Sequence, residues 1–153
     1  MKQVRKAVRT FLIEEDRVLA IKYTTNDNKL DYYDIPGGKI EEGEKSEEAA
    51  IREFKEESGI EIKNPQYAGN LVVEYPNRVF DFDVFFVSEY EGCPQQTLEN
   101  ISEWIKIDEL LQKEKLFTTI YVLDKSHRTA LLNKTNFKWH FIADENHNKL
   151  AEI

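Results

Sequence analysis

Apolar and polar positions along the chain divide it into strands and helices. "VRKAVRTFLI" (4–13) reads as a strand that becomes more apolar toward its end. "EEDR" (14–17) is a turn, and "VLAIKY" (18–23) is the returning strand of a hairpin. The Asn/Asp-rich "TTNDNKLD" (24–31) predicts a loop. "YYDI" (32–35) is short and extended, because Pro36 disfavours helix in the residue before it. From Ser46 to Ser58 the period becomes helical, with Ala50, Ile51 and Phe54 on a face that can pack on a sheet. Ser46 is the expected cap, with Glu47 and Glu48 in the favourable first turn. Gly59 is the expected left-handed stop. Strands follow near 66–75 and 79–87 around a "YPN" turn, then "EWIKI" at 103–107. Helices are expected at 108–115 and 124–133. A last strand is expected in "FKWHFIA", where Phe137, Trp139 and Phe141 alternate onto one face. The sum is an α/β chain with more strands than helices. It contains no repeat or linker, so residues 1–153 are expected to form one domain.

Composition narrows the function classes. The 153 residues are 41% hydrophobic and 12% aromatic, enough for a core without disulfides or a structural metal. Cys93 is the only cysteine, which excludes an internal disulfide and a thiolate zinc site and suits a reducing cytoplasm. The first twenty residues lack a long apolar core, so no signal peptide is expected, and no apolar run reaches membrane-spanning length. Of the net charge of −8, five units lie between Glu41 and Glu57, where eight glutamates face only Lys45, Arg52 and Lys55. Acidity this local argues for a bound cation, and against a nucleic-acid surface, which would need a basic face.

The helix concentrates that charge further. At about 100° per residue, Glu53, Glu56 and Glu57 share one sector about 100° wide. Ala49 lies one turn earlier in the same sector and leaves space beside them. Such a stripe repels itself by a few tenths of a kcal/mol per exposed pair, roughly, and a divalent cation reverses the sign. Oxygen donors without thiolate or imidazole partners suit Mg²⁺ or Mn²⁺. A solvated Glu-rich face is the ordinary explanation of a charge run. Two features point past it: the preceding Gly37-Gly38, whose backbone lets carbonyls approach a ligand, and the fixed order Arg52-Glu53, Glu56-Glu57, Gly59.

Gly38, Glu44, Arg52-Glu53-Phe54, Glu56-Glu57 and Gly59-Ile60, at their spacings, resemble the Nudix box. One position departs: Phe54 stands where the family usually carries an aliphatic residue, a matter of packing rather than chemistry. "YYDIPGGK" and "EWIKIDEL" resemble the family's flanking segments, so the likeness spans roughly residues 4–115. It implies an α/β/α sandwich on a mixed sheet, and an enzyme that hydrolyses a nucleoside diphosphate linked to another group with Mg²⁺ or Mn²⁺. It further implies that Glu53, Glu56 and Glu57 bind or order the metal with a backbone carbonyl of Gly37-Gly38. Arg52 then orients a glutamate, and Glu44 supports the loop or a further metal. The general base varies in this family. Here it is a box glutamate such as Glu53, or a later acid, Glu99 in preference to Glu103, which adjoins the strand.

Outside the box the clues to substrate are thin. Lys39 and Lys22 are candidate phosphate contacts, although a lone lysine is ordinarily a solvated one. Tyr33, Phe80 and Phe82 are candidate base-stacking rings, although "VFDFDVFF" also alternates as plain strand core. His127, His140 and His147 lie far from the box and read as structural or exposed. "NFKWHFIADENHNKL" resembles a terminal segment of members that clean oxidised nucleotides. Pro76 and Tyr75 stand near placements associated with ADP-ribose and dinucleoside polyphosphate members, but Pro76 also suits any hairpin turn. A nucleoside triphosphate, oxidised or not, is therefore the leading substrate, with ADP-ribose and dinucleoside polyphosphates as alternatives. A non-catalytic nucleotide sensor is the rival class, and such members usually lose box carboxylates that this chain keeps. The expected partner is a small nucleotide, with no membrane or nucleic acid. A homodimer is left open.

Overall fold

The computed structural model describes residues 2–24, 31–96, 100–113, 118–144 and 150–152. In chain order the elements are β1 (Gln3–Glu14), β2 (Arg17–Thr24), β3 (Asp31–Asp34), β4 (Gly37–Lys39), α1 (Ser46–Ser58), β5 (Glu61–Lys63), β6 (Gln66–Glu74) and β7 (Arg78–Val87). Then come β8 (Glu89–Glu91), β9 (Asn100–Lys106), α2 (Ile107–Leu110), a 3-10 segment (Thr118–Leu123), α3 (Lys125–Leu132), β10 (Phe137–Ala143) and β11 (Leu150–Glu152).

The main sheet runs β11-β10-β6-β7-β1-β2-β3, with β4 added to β1 and β9 added to β2. It is mixed: β1 pairs with β7 and β10 with β6 in parallel, while the other ladders are antiparallel. β5 and β8 form a separate small ladder.

β1 shows why helices lie on both faces. Ala7, Phe11 and Ile13 join the larger core, which takes Ile120 and Leu123 of the 3-10 segment and Leu131 of α3. The alternate residue Val8 packs with Ala49 and Ala50 of α1, and Leu12 packs with Phe54. A strand buried on both sides reads as a nearly continuous apolar run, as the end of β1 does. The expected α/β/α sandwich is therefore the fold.

Several boundaries differ from the sequence reading. The helix covers the expected residues, but its cap is Lys45 rather than Ser46. The Glu48 carboxylate accepts the Lys45 N–H at 3.1 Å, which fixes the cap one residue earlier. Gly59 does end α1 in the left-handed region, at φ 77°, and its N–H donates to the Lys55 carbonyl. Of the helix expected at 108–115 the described residues form a single turn, Ile107–Leu110, while 114 and 115 lie outside them. The N–H groups of Gln112 and Lys113 bond three residues back and tighten the chain out of α-helix. Helix 124–133 stands as α3. The short strands β4, β5, β8 and β11 carry no sequence signal, since three residues are too few to show a period.

Candidate active site

The register between β1 and β4 builds the site. Val8 pairs with Gly38 and Arg9 with Gly37, so the two glycines lie flat against β1, beneath α1. A side chain at Gly38 fits only if the Glu53 carboxylate moves aside. A Cβ there would lie 2.5 and 2.6 Å from the two carboxylate oxygens of Glu53.

Arg52 ties the carboxylates together. Its Nε and Nη2 donate to the two oxygens of Glu44 at 2.7 and 2.9 Å, a forked pairing. Nη1 donates to Glu53 Oε1 at 2.9 Å and to Glu56 Oε2 at 3.4 Å, and Nη2 also donates to the Lys39 carbonyl at 3.0 Å. One arginine thus orients three glutamates, where the sequence suggested one. The Glu41 N–H donates to Glu44 and closes the loop before the helix. These bonds, the Arg52 bond first, hold the Glu44 carboxyl down to about 2. Glu44 is therefore a carboxylate at neutral pH, tied to Arg52 and to the loop backbone at Glu41.

Glu57 is anchored differently. The Tyr23 hydroxyl donates to its Oε2 at 2.6 Å and the Gly37 N–H to its Oε1 at 2.9 Å. Burial pushes the Glu53 and Glu57 carboxyls up, against the pull of these hydrogen bonds. Burial and the neighbouring Glu57 push the Tyr23 phenol far above its ordinary range.

Among the described residues no three His, Cys, Asp or Glu side chains stand ready as a metal cluster. The carboxylates are turned instead to Arg52, Tyr23 and Gly37. The chemistry still fits a hard cation. The donors are all oxygens, two of them on carboxyls whose burial is only partly offset by hydrogen bonds, and the Glu53 carboxylate packs directly on Gly38.

Beside this group lies a cavity of about 580 Å³, lined by Arg5, Arg9, Gly38, Lys39, Phe80 and Phe82 among others. Lys39, Phe80 and Phe82 thus come together, as the sequence suggested. The Phe80 and Phe82 rings stack at 5.5 Å, with the guanidinium of Arg9 over Phe82 and that of Arg78 over Phe80. Tyr33 and Lys22 do not line this cavity. They face each other in the β2–β3 ladder, and Tyr33 is buried in the wall of a smaller cavity with Glu103 and Lys113. Glu103 pairs with Ala20, whose side chain belongs to the core on the side away from Phe54, so it points away from the acidic stripe. Glu99 lies outside the described residues. His127 packs on Trp139 at 4.6 Å and on Phe141 at 5.7 Å, a structural place, while His140 stands 3.4 Å from Glu74. His147 lies outside the described residues. Tyr75 is core, its hydroxyl within 3.0 Å of that of Thr118, and Pro76 sits in the hairpin turn.

Sequence reasoning missed Arg9, Asp34 and Tyr23. Arg9 had a signal, a lone cation inside "AVRTFLI", on the side of β1 that carries Ala7 and Phe11. Tyr23 had none, because only the packing of α1 puts Glu57 within its reach.

A mixed sheet between helices, with a glutamate-bearing helix beside a basic aromatic cleft, is the architecture of a Nudix hydrolase. The chain belongs to the NUDIX domain family, whose model matches residues 3–125. It is 29% identical over 107 residues to the 8-oxo-dGTP diphosphatase of Escherichia coli K12, covering 70% of this chain and 83% of that protein. It is 36% identical over 76 residues to the oxidized purine nucleoside triphosphate hydrolase of Danio rerio, covering 48% of this chain and 49% of that one. The match therefore spans about half the length of the fish protein. In three dimensions it resembles the mutator MutT protein of Bacillus halodurans, with a TM-score of 0.76 at 23% identity, over 95% of this chain and 94% of that one.

Gly38→Ala tests the seating of Glu53. The atoms nearest the added methyl are the far end of a flexible side chain, so the melting temperature is expected to hold. Turnover is expected to fall about 10²-fold, the order that a displacement near 1 Å can cost. Unchanged turnover with an unchanged melt would mean that the position of Glu53 is immaterial.

Proposed function

We propose that this chain cleaves a diphosphate bond of a nucleoside triphosphate, with an oxidised purine nucleotide as the leading substrate. The observation that carries this reading is Glu53 packed on Gly38, which also lines a cleft of cations and aromatic rings. The names of the bacterial and fish relatives support the choice of substrate. Glu53, Glu56 and Glu57, with a carbonyl of Gly37-Gly38, would bind or order Mg²⁺ or Mn²⁺. Such an ion neutralises the diphosphate and lowers the pKa of a bound water.

The chain's own groups do the rest. Arg52 engages Glu53 Oε1 and leaves Oε2 to accept a proton from the attacking water. A base needs an affinity for protons near working pH, and burial raises that of Glu53. Glu53 is thus the general base among the described residues, with Glu99 the candidate outside them. Glu57, held by Tyr23 and the Gly37 N–H, keeps the helix and β4 in fixed relation. Lys39 meets the phosphates, and Phe80 and Phe82 form the apolar wall for the base.

The deciding experiment measures product release from normal and oxidised dNTPs, ADP-ribose, dinucleoside polyphosphates and NADH. The highest kcat/KM is expected on an oxidised purine dNTP. Activity is expected to vanish with EDTA and return with Mg²⁺ or Mn²⁺. Full turnover in a chelated, metal-free sample would sink the mechanism. Binding without turnover of anything in the panel would favour the sensor.

A further inference from the structure

Neither the acidic helix nor the aromatic strand accounts for Arg9. It sits in the middle of β1, 17% exposed, in a stretch otherwise uncharged from Ala7 to Ile13. A cation so placed is costly unless it is paired. The pair is Asp34, whose Oδ2 lies 3.3 Å from Arg9 Nη2. Asp34 is itself 4% exposed and fully occupied. Its Oδ1 accepts the Ile35 N–H at 2.7 Å and also the Thr119 hydroxyl. One oxygen of the carboxylate is therefore pinned to the chain, and the other faces Arg9.

The guanidinium is held but not satisfied. Of its five N–H donors, Nη1 donates to the Val8 carbonyl at 3.2 Å and Nη2 faces Asp34. Nε is buried and has no partner among the described residues. The carbon of the guanidinium lies 4.9 Å from the centre of the Phe82 ring. A planar fork fixed by a carboxylate at one edge and a ring at its face, on the wall of a cavity shared with Gly38 and Lys39, is arranged for an anion before any arrives. It also stands within electrostatic reach of the acidic stripe, since its charge draws on both Glu53 and Glu57. That is the neighbourhood a diphosphate must enter.

We infer that Arg9 binds a phosphate of the nucleotide, and that the buried Asp34 is the positioning residue that fixes its guanidinium. The inference rests on the reading of this cleft as a nucleotide site.

Calorimetry on the full chain with dGMP and with deoxyguanosine tests it, because the two differ only in the phosphate. Arg9→Lys keeps the charge and the ion pair but loses the planar fork, and Asp34→Asn keeps shape but releases the fork. In Arg9→Lys the Kd for dGMP is expected to rise about ten- to hundredfold, the range of a hydrogen bond to a charged group. Asp34→Asn is expected to raise it less, in the same direction. Deoxyguanosine affinity should not move in either variant, and in steady-state kinetics the loss should fall on KM rather than kcat. Equal losses for both ligands would mean that Arg9 reads the base. No loss in variants with intact melts would mean that the pair is structural only. Either result overturns the inference alone. Should a single variant unfold, Arg9→Gln with Asp34→Asn removes both charges together and takes the same comparison. A wild-type chain that fails to bind dGMP overturns the nucleotide reading, and this inference with it.

Discussion

Glu53→Gln is expected to lower kcat by about 10² or more, the scale on which groups acting at a transition state matter. The change keeps the size of the side chain and lets its amide oxygen still accept from Arg52, now at 2.9 Å from Glu53. What is lost is a negative charge and a basic oxygen beside Gly38. The fold should not suffer. Burial raises the Glu53 carboxyl above its usual range, so the ionised form is disfavoured in the folded state. For a carboxyl shifted in that direction, the stability it contributes is present below the unfolded value and is lost as pH rises through the folded one. At neutral pH, removing the charge relieves a cost in the metal-free protein. Melting temperature without metal is therefore expected to hold or rise while turnover collapses. Near wild-type turnover on the best substrate would remove Glu53 from the chemistry and favour the sensor reading.

Phe54→Ala is expected to do the reverse. Phe54 is fully buried, packed with Leu12, Leu19, Ile60 and Val87 between α1 and the sheet. Removing a buried ring costs about 3–5 kcal/mol, through lost transfer energy and the cavity left behind. Urea unfolding should show that loss as a lower midpoint. Glu53, Glu56 and Glu57 lie on the adjoining sector of the helix and are held by Arg52, Tyr23 and the Gly37 N–H rather than by the Phe54 ring, so kcat per folded molecule should stay within a small factor at low temperature. A loss under about 1 kcal/mol would mean that the site collapses around the gap, contrary to the dense packing expected of cores.

Much of the molecule was legible in its residues. The acidic stripe could be read because 3.6-residue periodicity is local: Glu53, Glu56 and Glu57 share a side of α1 wherever the helix goes. The helix end at Gly59 and the hairpin at "YPN" could be read for the same reason, since turn chemistry resides in a few adjacent residues. Alternation located the long strands but not the three-residue ones. Lys45 rather than Ser46 became the cap because Glu48 reached back to it, a choice between near-equal local options.

Other features belonged to the tertiary structure alone. Sequence order grouped Lys22 and Tyr33 with the cleft, but both lie in the β2–β3 ladder and neither lines it, and Tyr33 belongs to the wall of another cavity. It left Tyr23, Asp34 and Arg9 unremarked, although Tyr23 holds Glu57 across 34 positions and Asp34 pairs with Arg9 across the sheet. Sequence by itself determined which chemical groups the chain could offer, and on which face of its own helix. Which of them meet was decided by strand register and by the packing of α1 on β1, because contacts between distant segments depend on how the whole sheet pairs, and no local period encodes that.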